Sequence, residues 1–188
     1  VPSGFLPLED QGAFMGEYQL PVDASVERSS KVGEEVLKIL KADENVQDVF
    51  VVAGFSLIDG VVLPNRGFFV VTMKPFEERT EDSQSAFSVI ENLNGKLAAL
   101  PDSVAFAFNL PPIQGLGTGA GFQAMITSKE GAPPAQIAEV ARGATLNAAQ
   151  DSRLHGVYTT FSADTPQLKL EIDRERVQTL GVDISNLF

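Results

Sequence analysis

The residue types that do covalent chemistry are scarce in this chain. Its one histidine, His155, lies close to Asp151 and Ser152, the side chains of a charge-stabilised nucleophile. Neighbours in sequence seldom build such a triad, and no Gly-x-Ser-x-Gly elbow is present to expose a serine, so His155 reads as a surface turn residue. Gly115, Gly117, Gly119 and Gly121 alternate in GLGTGAG, a loose match to the dinucleotide fingerprint. That fingerprint needs a glycine turn into a helix whose N-terminus faces the pyrophosphate. Here the glycines lead toward a strand, and a hinge between units is the better reading. Glu34 with Glu35, Glu77 with Glu78, and Asp173 with Glu175 could pair for acid–base work, but adjacent carboxylates of this kind are usually solvated faces. Met15, Met73 and Met125 fall in three separate expected strands and there is no cysteine, which does not favour soft metals. The sequence calls for no cofactor and no metal, and for no enzymatic activity.

Phenylalanine is the unusual residue: of the aromatic side chains, 13 are Phe and 2 are Tyr, with no Trp. Phe50, Phe55, Phe68, Phe69, Phe106 and Phe108 gather on expected strands. Successive strand side chains point to opposite faces, so Phe106, Phe108 and Leu110 share one face, and Phe50 and Val52 have the same period-two relation. Two strands that direct phenyl rows the same way can line an apolar cleft for flat, greasy ligands without fixed hydrogen bonds. A plain hydrophobic core is the commoner use of such rows, and the pattern leaves both open.

These residues need strands to position them. Phe14 to Pro21 is expected to be a strand, followed by a helix capped near Ser25, with Val32, Val36, Ile39 and Leu40 on one face. Val46 to Leu57 is a second strand, then a loop with Asp59, Gly60, Pro64 and Asn65, then a strand from Gly67 to Lys74. Ala86, Val89, Ile90, Leu93, Leu97 and Leu100 predict a second helix that stops near Pro101, and Val104 to Leu110 a fourth strand. The order is that of a split βαβ, ferredoxin-like unit: an antiparallel four-stranded sheet with two helices on one face. After the connector Pro111 to Gly121 the pattern restarts, with strands at 122–128, 157–163 and 167–173, a helix at 134–150 carrying Ile137, Val140, Ala141, Ala144 and Ala148, and a short helix from Arg174 to Leu180. The expected fold is therefore α+β, with two ferredoxin-like βαββαβ units, residues 1–113 complete and residues 114–188 lacking a final strand. An unfinished sheet leaves an open edge, which something outside this sequence is expected to complete.

Composition sets the wider bounds. The chain has 188 residues, 44% of them hydrophobic and 21% charged, enough to bury a core. A net charge of −11 repels phosphate backbones and anionic headgroups, which sets nucleic-acid and peripheral membrane binding aside. The apolar runs are strand-length, well below the ~20 residues a membrane helix needs. The start VPSGFLPLEDQG has neither a basic nor an apolar leader region, and a first residue of valine suggests an excised piece.

Four separated stretches, PSGFLPLEDQG with FMGEYQLP, VFVVAGFSL, FAFNLPPIQGLGTGAGF, and DTPQLKLEIDRERVQTLGVDIS, resemble the porter region of resistance-nodulation-division (RND) multidrug efflux transporters. The resemblance covers the chain in the family's order and implies the C-terminal porter region. It implies a homotrimeric, proton-driven pump in a bacterial inner membrane, whose periplasmic portion this would be, exporting amphiphilic drugs with a periplasmic adaptor and an outer-membrane channel. It places Phe50, Val52, Phe55, Leu57, Val70, Phe106, Phe108 and Leu110 in substrate binding, and Gly54, Ser56, Ile58, Asp59 and Gly60 in a switch loop running to about Val62. That loop departs from the family's more glycine- and phenylalanine-rich pattern, and Gly115 stands where many members carry an acid. The membrane-embedded Asp and Lys of the family's proton relay are not in this chain, so the segment alone can bind but not transduce. Two alternatives share these elements: a soluble ferredoxin-like binding or regulatory module, and a relative devoted to lipids or another dedicated amphiphile.

Overall fold

The computed structural model describes residues 9–113, 122, 124–151, 153–154, 156–163, 171–179, 181 and 183. Strand β1 (Ala13–Gln19), helix α1 (Val26–Lys41), strands β2 (Val46–Ser56) and β3 (Val61–Met73), helix α2 (Ala86–Leu97) and strand β4 (Val104–Asn109) follow in that order. Two short 3-10 turns, Phe76–Glu78 and Asp82–Gln84, bridge β3 to α2. The strands form one sheet in the order β2-β3-β1-β4, every pairing antiparallel. The architecture is α+β, a ferredoxin-like βαββαβ unit.

Local chemistry sets the helix starts. Ser25 and Ser85 are extended residues whose hydroxyl oxygens accept from the backbone N–H of Arg28 and Ser88, using donors that the first helical turn leaves free. Both helices pack on the same sheet face. Val36 and Leu40 of α1 and Val89, Leu93 and Leu97 of α2 are buried against Phe14, Tyr18, Phe69, Val71, Ala105 and Ala107, with Val32, Ile39, Ile90 and Leu100 at the margin. Each fully buried large apolar side chain contributes roughly 1.5–3 kcal/mol, so this face carries the stability of the unit.

Two glycines let that face close. Gly16 pairs with Phe69 across β1 and β3, and Gly67 pairs with Tyr18 two residues along, on the same face. A Cβ on Gly16 would land in the Phe69 ring and one on Gly67 in the Tyr18 ring, so each aromatic lies over the bare backbone of the residue opposite. Gly33 of α1 likewise leaves room for the Tyr18 hydroxyl.

Several expectations need correction. The stretch from Asp59 to Asn65 is not one loop: β3 begins at Val61 and runs through Pro64 and Asn65, leaving a tight turn at 57–60. Proline is tolerated there because β2 and β3 lose register, with Ala53 opposite Gly67 but Phe55 opposite Val62, so Leu63 to Arg66 bulge away from β2 and owe it no hydrogen bonds. Among the described residues, 122, 124–128, 157–163 and 171–173 form no strand. Alternation says which face a strand would show, but a ladder also needs a neighbour to bond to. Helices α3 (Pro134–Ala148) and α4 (Arg174–Thr179) are present where expected. On α3, however, only Ala141 is buried and Val140 is exposed. His155, Gly115 to Gly121 and residues 164–170 lie outside the described residues.

Candidate functional site

The sheet face turned away from the helices carries the phenyl rows. Register aligns them: Phe50 of β2, Val70 of β3, Met15 of β1 and Phe108 of β4 are successive partners, and the next outward row is Val52, Phe68, Glu17 and Phe106. Phe50 is 61% exposed, whereas Phe69, its near neighbour in type and position, is fully buried on the opposite face. Phe69 is therefore a core residue. Val52, Phe68, Val70, Phe106 and Phe108 are half-buried.

Phe50 and Phe55 are an odd number of residues apart and would face opposite ways in a regular strand. Gly54, at φ +86°, sits at the register shift, where the left-handed backbone favours glycine. Phe50 and Phe55 both meet Phe68 edge-on, at centroid distances of 6.3 and 5.9 Å. A second aromatic group forms on the far side of β1, where Phe106 lies 6.0 Å from Phe108 and 4.1 Å from Tyr158. Leu110 is half-buried just beyond β4, and Leu57 and Ile58 are half-buried in the turn closed by the exposed Asp59 and Gly60.

Between the two aromatic groups lies a buried charge. Glu17 is 1% exposed and Arg66 4% exposed, and their ion pair spans 2.9 Å. Glu17 Oε1 also accepts from the Ser56 hydroxyl at 3.0 Å, and Oε2 from the Ile58 backbone N–H at 3.1 Å. Asp59 lies 3.7 Å from Arg66 and 3.2 Å from the Ser56 hydroxyl, whose single proton can serve only one of the two carboxylates. Arg66 Nη2 donates to the Thr160 carbonyl at 2.8 Å, and the Thr160 hydroxyl donates to Asp59 at 3.1 Å. Burial, and then the negative charges of Glu17 and Asp59, push the Tyr158 hydroxyl up to about 12, so it remains a neutral donor near neutrality.

A cleft of about 540 Å³ opens beside this network, lined by residues that include Gln19, Leu63, Asn65, Arg66, Thr160 and Phe161. Of the expected site residues only Asp59 lines it. The phenyl rows form an open wall instead, which suits a surface completed by neighbouring structure. Sequence reasoning missed Glu17, Arg66, Tyr158 and Thr160. The available signal was a carboxylate in mid-strand, on the parity of the phenyl rows. Glu34, Glu35, Glu77 and Glu78 are exposed, and Asp173 accepts from the Arg176 N–H at the start of α4.

No helix among the described residues is long and apolar enough to cross a membrane. A sequence model of the AcrB/AcrD/AcrF family matches residues 1–188. The chain is similar to the multidrug export protein AcrF of Escherichia coli, at 37% identity over the whole chain. It is similar too to the multidrug resistance protein MdtF of the same organism, at 32%, and to the toluene efflux pump membrane transporter TtgB of Pseudomonas putida, at 31%. In each case all of this chain is covered but only 18% of the relative.

Proposed function

Because the chain belongs to the AcrB/AcrD/AcrF family, we propose that it is the substrate-facing porter segment of an RND efflux pump, whose helix-free sheet face is one wall of a binding site for amphiphilic drugs. The observation that carries this reading is the alignment of Phe50, Val70 and Phe108, and of Val52, Phe68 and Phe106, on a face that the unit's own helices leave uncovered. Aromatic contacts of this kind contribute about 0.5–1.5 kcal/mol each beyond area burial, with loose geometric demands. A wall without matched polar groups cannot reject a ligand by leaving those groups unpaired, so broad selectivity follows from the residue types. Leu110 and Leu57 extend the wall at its two ends, and Phe55, near the end of β2, joins it to the turn at 57–60, which together with Gly54 and Ser56 acts as its gate.

In this reading the segment sits on the periplasmic side of a bacterial inner membrane, within a homotrimer that works with an adaptor and an outer-membrane channel. Proton entry through membrane helices elsewhere in the protein supplies the energy. Residues 1–113 and 114–188 are two porter units, the second completed by chain outside this segment, and the stretch from Pro111 to Gly121 lets them tilt. The test is Phe108→Ala in the full-length pump at matched expression. Efflux of bulky aromatic drugs should fall several-fold more than efflux of small ones, and an equal change in both classes would overturn the reading.

A further inference from the structure

The turn between β2 and β3 is tied down by more than its own backbone. Gly60 N–H bonds to the Ser56 carbonyl at 3.0 Å, an ordinary turn contact. Glu17, from the strand two positions across the sheet, then reaches the turn at two points, the Ser56 hydroxyl and the Ile58 N–H. Charge-assisted bonds from a buried carboxylate are about twice as strong as neutral ones. Arg66, which follows the β3 bulge, holds that carboxylate with one nitrogen and the Thr160 carbonyl with another. The Thr160 hydroxyl returns to Asp59 in the turn, so the contacts form a closed ring from sheet to turn to the 158–160 segment and back.

We propose that Glu17 and Arg66 form a latch that holds the Ser56–Gly60 turn against the sheet and joins it to the segment around Thr160, so that turn and segment release together. Loss of the latch leaves the turn only its own short-range bonds, from Gly60 N–H to the Ser56 carbonyl and from Asp59 N–H to the Ser56 hydroxyl oxygen, with two glycines, Gly54 and Gly60, both already at positive φ. The coupling arises because Arg66 cannot leave the Thr160 carbonyl for solvent without disturbing Glu17, and Glu17 is the acceptor for Ile58. This concerns the mobility of the turn and stands whether or not the phenyl face binds drugs.

The test is amide hydrogen exchange in the full-length transporter that contains this segment. Glu17→Gln keeps a side-chain oxygen for Ile58 but removes the charge that holds Arg66. Exchange should rise roughly tenfold at 56–60 and also at 157–163, with α1 and α2 unchanged. Unchanged exchange at 56–60 would overturn the latch, and a faster turn beside an unchanged 157–163 would overturn the coupling. If Glu17→Gln does not accumulate, Arg66→Met carries the test, since it removes the cation from Glu17 and the donor from the Thr160 carbonyl. A rise of a few-fold at 56–60 and at 157–163 supports the proposal and no change at either overturns it.

Discussion

Among the described residues two buried arginines are paired with carboxylates, and they are finished differently. Arg79 spends every nitrogen: Nε on the Lys74 carbonyl at 2.8 Å, Nη1 on Asp10 at 2.9 Å and the Gln84 carbonyl at 2.8 Å, and Nη2 on Asp10 again at 3.4 Å. Its guanidinium also stands 4.9 Å above the centre of the Phe76 ring. Asp10 in turn accepts from the N–H of Gly12 and of Ala86 at the start of α2, both at 2.8 Å. Arg66 is as deeply buried, yet its Nε has no hydrogen-bond partner among the described residues. An arginine with every nitrogen engaged fastens the β3–α2 connection. One with a donor in hand, beside a cleft and a turn, has a second arrangement open to it at little cost.

The sharpest way to break this contrast is to replace each pair by hydrocarbon. Asp10→Leu with Arg79→Leu should lower the urea-unfolding stability of the chain by about 3–5 kcal/mol, because the N–H groups of Gly12 and Ala86 and the carbonyls of Lys74 and Gln84 lose their partners together. A smaller effect is expected from acid. Burial alone would raise the Asp10 carboxyl, but its bond from Arg79, the N–H groups of Ala86 and Gly12 and the arginine charge outweigh it and hold the group below its ordinary value of 3.8. That stabilisation is fully present above the unfolded value and is lost as pH falls through the lower folded one. Unfolding stability measured from pH 5 downward should therefore fall less steeply in Asp10→Asn than in wild type. Smallest of all, Glu17→Leu with Arg66→Met should leave stability within about 1 kcal/mol, since buried ion pairs replaced whole by apolar residues are often neutral and only two main-chain groups, the Ile58 N–H and the Thr160 carbonyl, lose a partner, both on half-buried residues that water can reach. A loss as large as that of the Asp10 pair would erase the distinction between fastener and latch.

Much of this was legible in the chain before any coordinates. The three- and four-residue steps of Val32, Val36, Ile39 and Leu40 located α1, those of Ala86 to Leu97 located α2, and period two put Phe106 with Phe108 and Phe50 with Val52 on common faces without telling whether those faces were core or surface. What alternation could not reveal was partnership. Glu17 shows its face by parity, but Arg66 comes to it as the diagonal neighbour fixed by the β1–β3 register, in which Glu17 pairs with Phe68 and Gln19 with Arg66, and nothing local in either segment marks that pairing. Among the described residues, 122, 124–128 and 157–163 form no strand for the related reason that a ladder is a property of two segments. Tyr158 and Thr160 were invisible as site residues because their contacts to Phe106 and Asp59 span the connector.

The reciprocal fit of Gly16 under Phe69 and Gly67 under Tyr18 restricts how this segment can change by descent. A side chain gained at Gly67 demands a smaller ring at Tyr18, whereas one gained at Gly16 would meet the Phe106 carbonyl as well as the Phe69 ring, so Gly16 should stay fixed while Gly67 and Tyr18 drift as a linked couple. A crossover between two diverged copies that fell between residues 18 and 67 would take one member of that couple from each parent. Recombination within this family should therefore tolerate breakpoints after β3 better than breakpoints in α1 or β2.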